Sequence, residues 1–309
     1  MEWEASLIEW LQGTLGDVGT AVSKVLSVIG GETVSLVVVL IILFCYSKEA
    51  GKRCGLMLLA ASVWFPMIKN VVRRSRPYIE YEGRVDMKML PEEGSDIAQA
   101  KDLKIQGYSF PSGHGAMTVA MYGSAAREIR KKWAWAIAVA LPLLIGVSRF
   151  VVGVHYPTDV LAGWAVGLAA VGFCLFLEKT VPNENIRGMI LLATALPGVF
   201  WCDSRDYFTA LGALAGMVVA VPYEKKYVNF QDTRKIPVMI LRVTGAFAIY
   251  YALNILLKLP FSKAWLDSGM PGPNLIRSLR YGIILFTIVG VYPRCFPALE
   301  RLFTKKEES

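Results

Sequence analysis

Histidine is almost missing from this chain, with two residues, His114 and His155, among 309. Charge is scarce as well. Asp, Glu, Lys and Arg supply 19% of the residues against 54% hydrophobic, and the mean hydropathy is +0.44. Soluble domains of this length carry charge on nearer a quarter of their residues, so the composition argues against one. Alternating apolar and polar residues over stretches of roughly ten are also missing, which argues against a β-barrel. Cysteine is limited to Cys45, Cys54, Cys174, Cys202 and Cys295. No two have metal-ligand spacing, so they read as inert, buried thiols and leave nothing from which to build a zinc or iron–sulfur site. Internal repeats and low-complexity tracts are absent. The first residues are acidic and lack both a basic n-region and an apolar h-region, so they do not read as a signal peptide.

What is present is apolar sequence in long runs. Crossing a hydrocarbon core takes about 20 helical residues at 1.5 Å each. Approximate candidates are 32–47, 54–71, 111–126, 133–152, 158–178, 188–202, 207–222, 236–258 and 276–292. The expected fold is all-α, a polytopic membrane helical bundle of about eight or nine hydrophobic segments. Residues 1–31 differ. Trp3, Leu7, Ile8, Trp10 and Leu11 recur at helical spacing with Glu2, Glu4 and Glu9 between them, the pattern of an interfacial amphipathic helix.

The net charge of +8 is not a nucleic-acid footprint, because the basic residues sit in short loops between apolar segments. They include Lys48, Lys52 and Arg53, then Arg127, Arg130, Lys131 and Lys132, then Lys225, Lys226, Arg234 and Lys235, and in the tail Arg294, Arg301, Lys305 and Lys306. With 32–47 as the first crossing, alternation puts all of these on one side, which the positive-inside rule names the cytoplasm. The 72–107 loop then faces outward, its seven basic residues balanced by seven acidic ones.

Both histidines stand in charged motifs at segment ends. Lys69 closes the 54–71 run, with Arg76-Pro77 just beyond. Pro111-Ser112-Gly113-His114 opens the next run, Ser148-Arg149 closes the 133–152 run, and His155 and Asp159 begin the following one. On the crossing order above, all five ends emerge on the outer face. Singly, each has a plain reading: Ser112 as a helix N-cap, Lys69 as a snorkelling lysine, Arg149 with Asp159 as an interfacial ion pair. Jointly they supply what phosphoryl transfer needs. Lys69, Arg76 and Arg149 can neutralise phosphoryl oxygens, and Ser112 and the Gly113 amide mark a helix N-terminus that favours an anion. His155 is the candidate nucleophile, Asp159 its orienting carboxylate, and His114 the acid and then base. Other residues leave alternatives open. Arg73, Arg74 and Ser75 add positive potential at the entrance or are simply solvated. Tyr108 and Tyr156 line the site or pack at the interface. The 202–206 turn borders the pocket or does not, and 259–275 is a lid or only a connection. Arg242 and Asn254, inside an apolar run, are expected to face other helices.

Lys69, Arg76, Pro77, Pro111, Ser112, Gly113, His114, Ser148, Arg149, His155 and Asp159, in this order and spacing, resemble the signature of the type 2 phosphatidic acid phosphatase (PAP2) superfamily, across about residues 30–178. The resemblance implies catalytic roles for His155, His114 and Asp159, phosphate binding by Lys69, Arg76, Ser112, Gly113 and Arg149, a phosphohistidine on His155, and neither metal nor other cofactor. It implies three parts: an N-terminal segment 1–31, a catalytic membrane core 32–178, and additional spans with a tail over 179–309. The expected activity is hydrolysis of a lipid phosphate or diphosphate, of undecaprenyl diphosphate or phosphatidate type, at the outer face of a bacterial cell membrane, with membrane lipids as the surroundings. The alternatives are a sphingoid-base-phosphate or glucose-6-phosphatase-like phosphatase, a phosphotransferase, and, from another class, a catalytically silent lipid transporter or scaffold.

Overall fold

The computed structural model describes residues 2–88, 107–268 and 270–304. It is built of helices and turns, with no strand among the described residues. In chain order the helices are α1 (Glu2–Ile29), α2 (Glu32–Ile41), α3 (Lys48–Val72), α4 (Pro77–Glu80), α5 (Gly113–Ile129), α6 (Lys132–Val151), α7 (Pro157–Thr180), α8 (Glu184–Ala195), α9 (Arg205–Tyr227), α10 (Ile236–Leu256), α11 (Lys263–Leu266), α12 (Pro271–Leu285) and α13 (Phe296–Thr304). A π-turn, Ile42–Tyr46, prolongs α2. Lys101 and Lys104 of the outward loop, and Lys305 and Lys306 of the tail, lie outside the described residues.

Six stretches are long and apolar enough to cross a bilayer: Lys48–Glu80, Lys132–Val151, Pro157–Thr180, Arg205–Tyr227, Ile236–Leu256 and Pro271–Arg301. The pair Glu2–Ile29 and Glu32–Tyr46, bent by 46°, makes a seventh if taken as one broken span. The chain is an integral membrane protein. The count falls below eight or nine because two of the apolar runs form helices too short to cross on their own. The 111–126 run becomes α5, of 17 residues. The 188–202 run becomes α8, of 12 residues, ending in the 3₁₀ turn Leu196–Phe200.

The chain divides into two compact units. The first joins Met1–Ser35 to Trp64–Gly172. Here α5 packs along α6, and α6 along α1. Helix α7 approaches α5 closely enough that a Cβ at Gly163 would collide with the Ser112 carbonyl. Small residues allow such backbone contact where lipid removes any hydrophobic drive between helices. Gly16 breaks α1, with φ 51° and ψ −144°, a conformation open to glycine and strained for other residues. The half of α1 before the break packs Ala5 and Ile8 against Tyr78, Val85, Val154 and Tyr156, while Trp3 and Trp10 stay exposed. Gln12 fastens this half further on, its amide nitrogen donating to the Asp86 carbonyl at 2.7 Å and the Val151 carbonyl at 3.0 Å.

The second unit joins Leu36–Val63 to Phe173–Ser309. Phe44, Phe230 and Phe296 meet edge to face at its core. Arg242 is buried there. It stacks on Phe296 at 4.2 Å and pairs with Glu300 at 3.1 Å, so it faces α13. Asn254 accepts from Arg280 of α12 at 2.6 Å. The 202–206 turn is tied to the 259–275 segment by Arg205 and Asp267 at 2.9 Å, and to α12 by Asn274, whose amide donates to the Asp203 carbonyl. Lys52, expected in a short loop between apolar segments, is instead buried on α3 and meets the buried Glu224 of α9 at 2.6 Å.

Breaking a buried pair leaves an uncompensated charge and costs about 3–5 kcal/mol. Glu224→Ala should therefore lower the Tm of the detergent-solubilised protein clearly, and Lys52→Met with Glu224→Met should recover most of the loss. Equal Tm values for parent and Glu224→Ala would show that the pair is not holding α3 to α9.

Candidate active site

Five chain segments of the first unit supply the eight candidate residues. Lys69 lies in the last turn of α3, buried, its ammonium 5.4 Å from the Phe65 ring centroid. Pro66, three residues earlier, is accommodated within the helix. After α3 the chain turns extended, and Arg76 caps α4 with Pro77 at its first position, where a missing N–H costs nothing. Arg76 is buried and braced by two carbonyls, Gly107 at 3.0 Å and Val154 at 3.1 Å.

Ser112 is the N-cap of α5, its hydroxyl accepting from the Gly115 amide at 3.3 Å. The plain reading of this serine is therefore realised, and it also opens the first turn of the helix toward the site. Gly113 cannot become alanine without displacing Phe65, whose ring would lie 2.8 Å from the new Cβ. His114 is half-buried and lies within electrostatic reach of Arg149, His155 and Lys69.

Arg149 lies buried in the last turn of α6, and its guanidinium donates to the Ser27 hydroxyl of α1. The 152–156 loop then reverses the chain at Gly153, which has φ 74°. His155 sits in that loop, buried, and its backbone N–H donates back to the Arg149 carbonyl at 3.4 Å. His155 Nδ1 faces Asp159 Oδ2 at 3.5 Å, longer than a formed hydrogen bond, and no other group bonds to it. Burial, reinforced by Arg76 and Lys69 and only partly offset by Asp159, pushes the His155 imidazole down to about 3. It is a neutral base at physiological pH, with its lone pair available.

Asp159, in the first turn of α7, has no exposed surface. Its Oδ2 accepts from the Ser109 hydroxyl and from the Tyr156 amide at 2.8 Å, and its Oδ1 accepts from Arg74 at 2.8 Å. The structure thus brings Lys69, Arg76, Ser112, Gly113, His114, Arg149, His155 and Asp159 into the same unit, around one helix N-terminus.

It also brings in residues that sequence reasoning did not assign. Arg74 is neither solvated nor a diffuse source of potential. It pairs with Asp159 and with Glu4 of α1, the latter at 2.7 Å, and stacks on the Tyr156 ring at 3.7 Å. Tyr156 is fully buried beneath it, its hydroxyl donating to Glu80 at 3.0 Å. Ser27 and Ser109 carried no signal of any kind. Glu4 carried a misleading one, since its place between apolar residues suggests a polar, solvated face.

A family model for the PAP2 superfamily matches residues 50–181, and one for the PAP2 superfamily phosphatase transmembrane extension matches residues 208–305. Among curated relatives, an undecaprenyl-diphosphatase of Sulfolobus acidocaldarius is 36% identical over 83 residues, 27% of this chain and 40% of the relative. Phosphatidylglycerophosphatase B of Bacillus subtilis is 37% identical over 70 residues, 20% of this chain and 34% of the relative. A lipid A 1-phosphatase of Rhizobium johnstonii is 38% identical over 82 residues, 24% of this chain and 33% of the relative. The chain spans 33–40% of the length of these relatives. No solved structure matches it significantly. With residues 50–181 and 208–305 matched by two models of one family, the chain belongs to the PAP2 superfamily.

Proposed function

We propose that this protein is a membrane phosphatase that hydrolyses a lipid phosphate or diphosphate through a phosphohistidine on His155. The observation that carries the reading is the position of His155. It is neutral and buried, with Nδ1 turned to a carboxylate that cannot be solvated, among Lys69, Arg76, Arg149 and the amino end of α5. With Nδ1–H directed at Asp159, Nε2 carries the lone pair. Nε2 attacks phosphorus, a P–N bond forms, and the bond to the lipid oxygen breaks. His114, which burial and the Arg149 charge hold toward the neutral form, takes up a proton as the phosphate anion binds and gives it to that oxygen. In the second step His114 takes a proton from water, the water oxygen attacks phosphorus, the P–N bond breaks, and inorganic phosphate leaves with His155 neutral again. Lys69, Arg76 and Arg149 hold the phosphoryl oxygens, and the α5 amides add the positive end of a helix dipole. Among the described residues no three His, Cys, Asp or Glu side chains converge as a metal would require, and the charge stabilisation is assigned to these cations.

The substrate class follows from the setting. A site made at helix ends takes a phosphate at headgroup depth with its apolar tail among the helices. The three relatives bear names that share a phosphate carried on a lipid. The outer face is the inferred side. Lys48 meets Glu224 at 3.5 Å and Asn229 at 2.7 Å, so two of the basic loops gather at one end of the second unit. The positive-inside rule makes that end cytoplasmic. In the sequence Lys69 closes the apolar run that Lys48, Lys52 and Arg53 precede, and one crossing separates the two ends of such a run.

Purified protein should release phosphate from lipid phosphates or diphosphates in EDTA. His155→Ala should abolish turnover, and Asp159→Asn should slow it by up to about 10⁴, the cost seen when a histidine loses its orienting carboxylate. Activity of His155→Ala within tenfold of the parent would refute the covalent route, and full dependence on added Mg²⁺ would refute the assignment of charge stabilisation to the three cations.

Sidedness is tested separately. In a cysteine-free background, Glu82→Cys should react with a membrane-impermeant maleimide on intact cells, and Lys131→Cys only after permeabilisation. The reverse pattern would put the site on the cytoplasmic side.

A further inference from the structure

Helix α1 precedes residues 50–181, the stretch matched by the PAP2 superfamily model, yet it reaches the candidate site at two places. Ser27 accepts from Arg149, and Glu4 enters a closed set of bonds with Arg74, Thr158 and Asp159. Glu4 has no exposed surface. One carboxylate oxygen accepts from the Thr158 amide at 3.1 Å and the Thr158 hydroxyl at 2.7 Å; the other accepts from Arg74 Nη2 at 2.7 Å. Arg74 Nη1 then donates to Asp159 Oδ1 and to the Thr158 hydroxyl oxygen, each at 2.8 Å. The guanidinium carbon lies over the Tyr156 ring, 3.7 Å from its centroid. Glu4 thus also satisfies a free amide of the first turn of α7, the helix that carries Asp159.

The chemistry of the set is specific. Arg74 is shared by two buried carboxylates and directs one nitrogen to each, which a planar guanidinium does and an ammonium does not. Arg74 holds Oδ1 while the Ser109 hydroxyl and the Tyr156 amide hold Oδ2, so the carboxylate plane is fixed from both sides with Oδ2 turned to His155 Nδ1. We propose that Glu4 and Arg74 are positioning residues: Glu4 holds Arg74, Arg74 holds Asp159, and Asp159 selects the Nδ1–H tautomer of His155 that leaves Nε2 free to attack. The amino-terminal helix is then a working part of the site and not only a membrane anchor. This inference rests on the phosphatase reading for its kinetic consequence, but its structural consequence does not.

Two measurements separate the two. Imidazole ¹⁵N NMR of the detergent-solubilised full chain reads the His155 tautomer without substrate, and two histidines make assignment simple. The parent should show a protonated Nδ1; Arg74→Met should show a mixture or the other tautomer, and Arg74→Lys an intermediate state. In turnover, Glu4→Gln and Arg74→Met should lower kcat by about 10–100-fold, by analogy with the loss when the outer hydrogen-bond partner of a metal-bound histidine is removed. KM and inhibition by vanadate should stay within about twofold of the parent, because Lys69, Arg76 and Arg149 are untouched. Glu4→Gln should cost nothing further in the Arg74→Met background, since it acts through Arg74; additive losses would point to simple packing of α1 and overturn the chain of positioning. An unchanged tautomer in Arg74→Met, or kcat within twofold of the parent in both single variants, would also overturn it. If Arg74→Met does not fold, the isosteric Glu4→Gln carries both readouts. If the parent releases no phosphate, the phosphatase reading fails and the tautomer alone decides this inference.

Discussion

A carboxylate with no access to water keeps its charge only if donors replace the water, and the first unit is organised around that requirement at Asp159. An isolated buried carboxylate would take up a proton before paying the full desolvation cost. Here the Ser109 hydroxyl, the Tyr156 amide and the Arg74 guanidinium take the place of solvent. They come from the approach to α5, the start of α7 and the segment after α3, so satisfying one charge pins three parts of the chain. The Asp159 carbonyl accepts from the Ser112 amide as well, which ties the cap of α5 to the same residue. Glycines along α7 make that approach possible, Gly163 against the Ser112 carbonyl and Gly167 against that of Ala116.

Buried charges serve different ends in the two units. In the second, Lys52 meets Glu224 and Arg242 meets Glu300, each joining one helix to another. Such pairs contribute little net stability but are costly to break, which makes them registers for helix packing. In the first unit, ionisable groups gather at helix ends around two histidines, and intramembrane ionisable residues that converge on one place mark a site. The contrast lies in the geometry: charged groups that join one helix to another in one unit, and Lys69, Arg76, Arg149 and Asp159 within electrostatic reach of His114 or His155 in the other.

Much of the candidate site's placement was legible in the sequence because its residues sit in short, rigid contexts. Ser112-Gly113-His114 opens a helix, Arg149 closes one, and His155 with Asp159 straddles the start of another, so spacing alone puts each at a helix end. What was not legible depends on contacts distant in sequence. Glu4 lies 70 residues from Arg74 and Ser27 lies 122 from Arg149; no periodicity carries such pairings. Arg74 looked like one more basic residue in a charged loop, because its burial depends on a ring, Tyr156, that arrives from the 152–156 loop. The span count was overestimated for a related reason. Hydropathy registers the apolar character of 111–126 and 188–202, but the helices they form, of 17 and 12 residues, are short for a crossing.

The central claim is that phosphorus becomes bonded to His155 during turnover, and the most direct measurement is capture of that bond. Protein mixed with a lipid phosphate labelled with ³²P and quenched within milliseconds under alkaline, acid-free conditions should carry label that survives base and is lost in acid. The label should map to the peptide containing His155, be absent from His155→Ala, and be discharged by a chase in unlabelled medium at a rate no slower than kcat. Full turnover with no base-stable label at any quench time, or label found on a residue other than His155, would contradict the account.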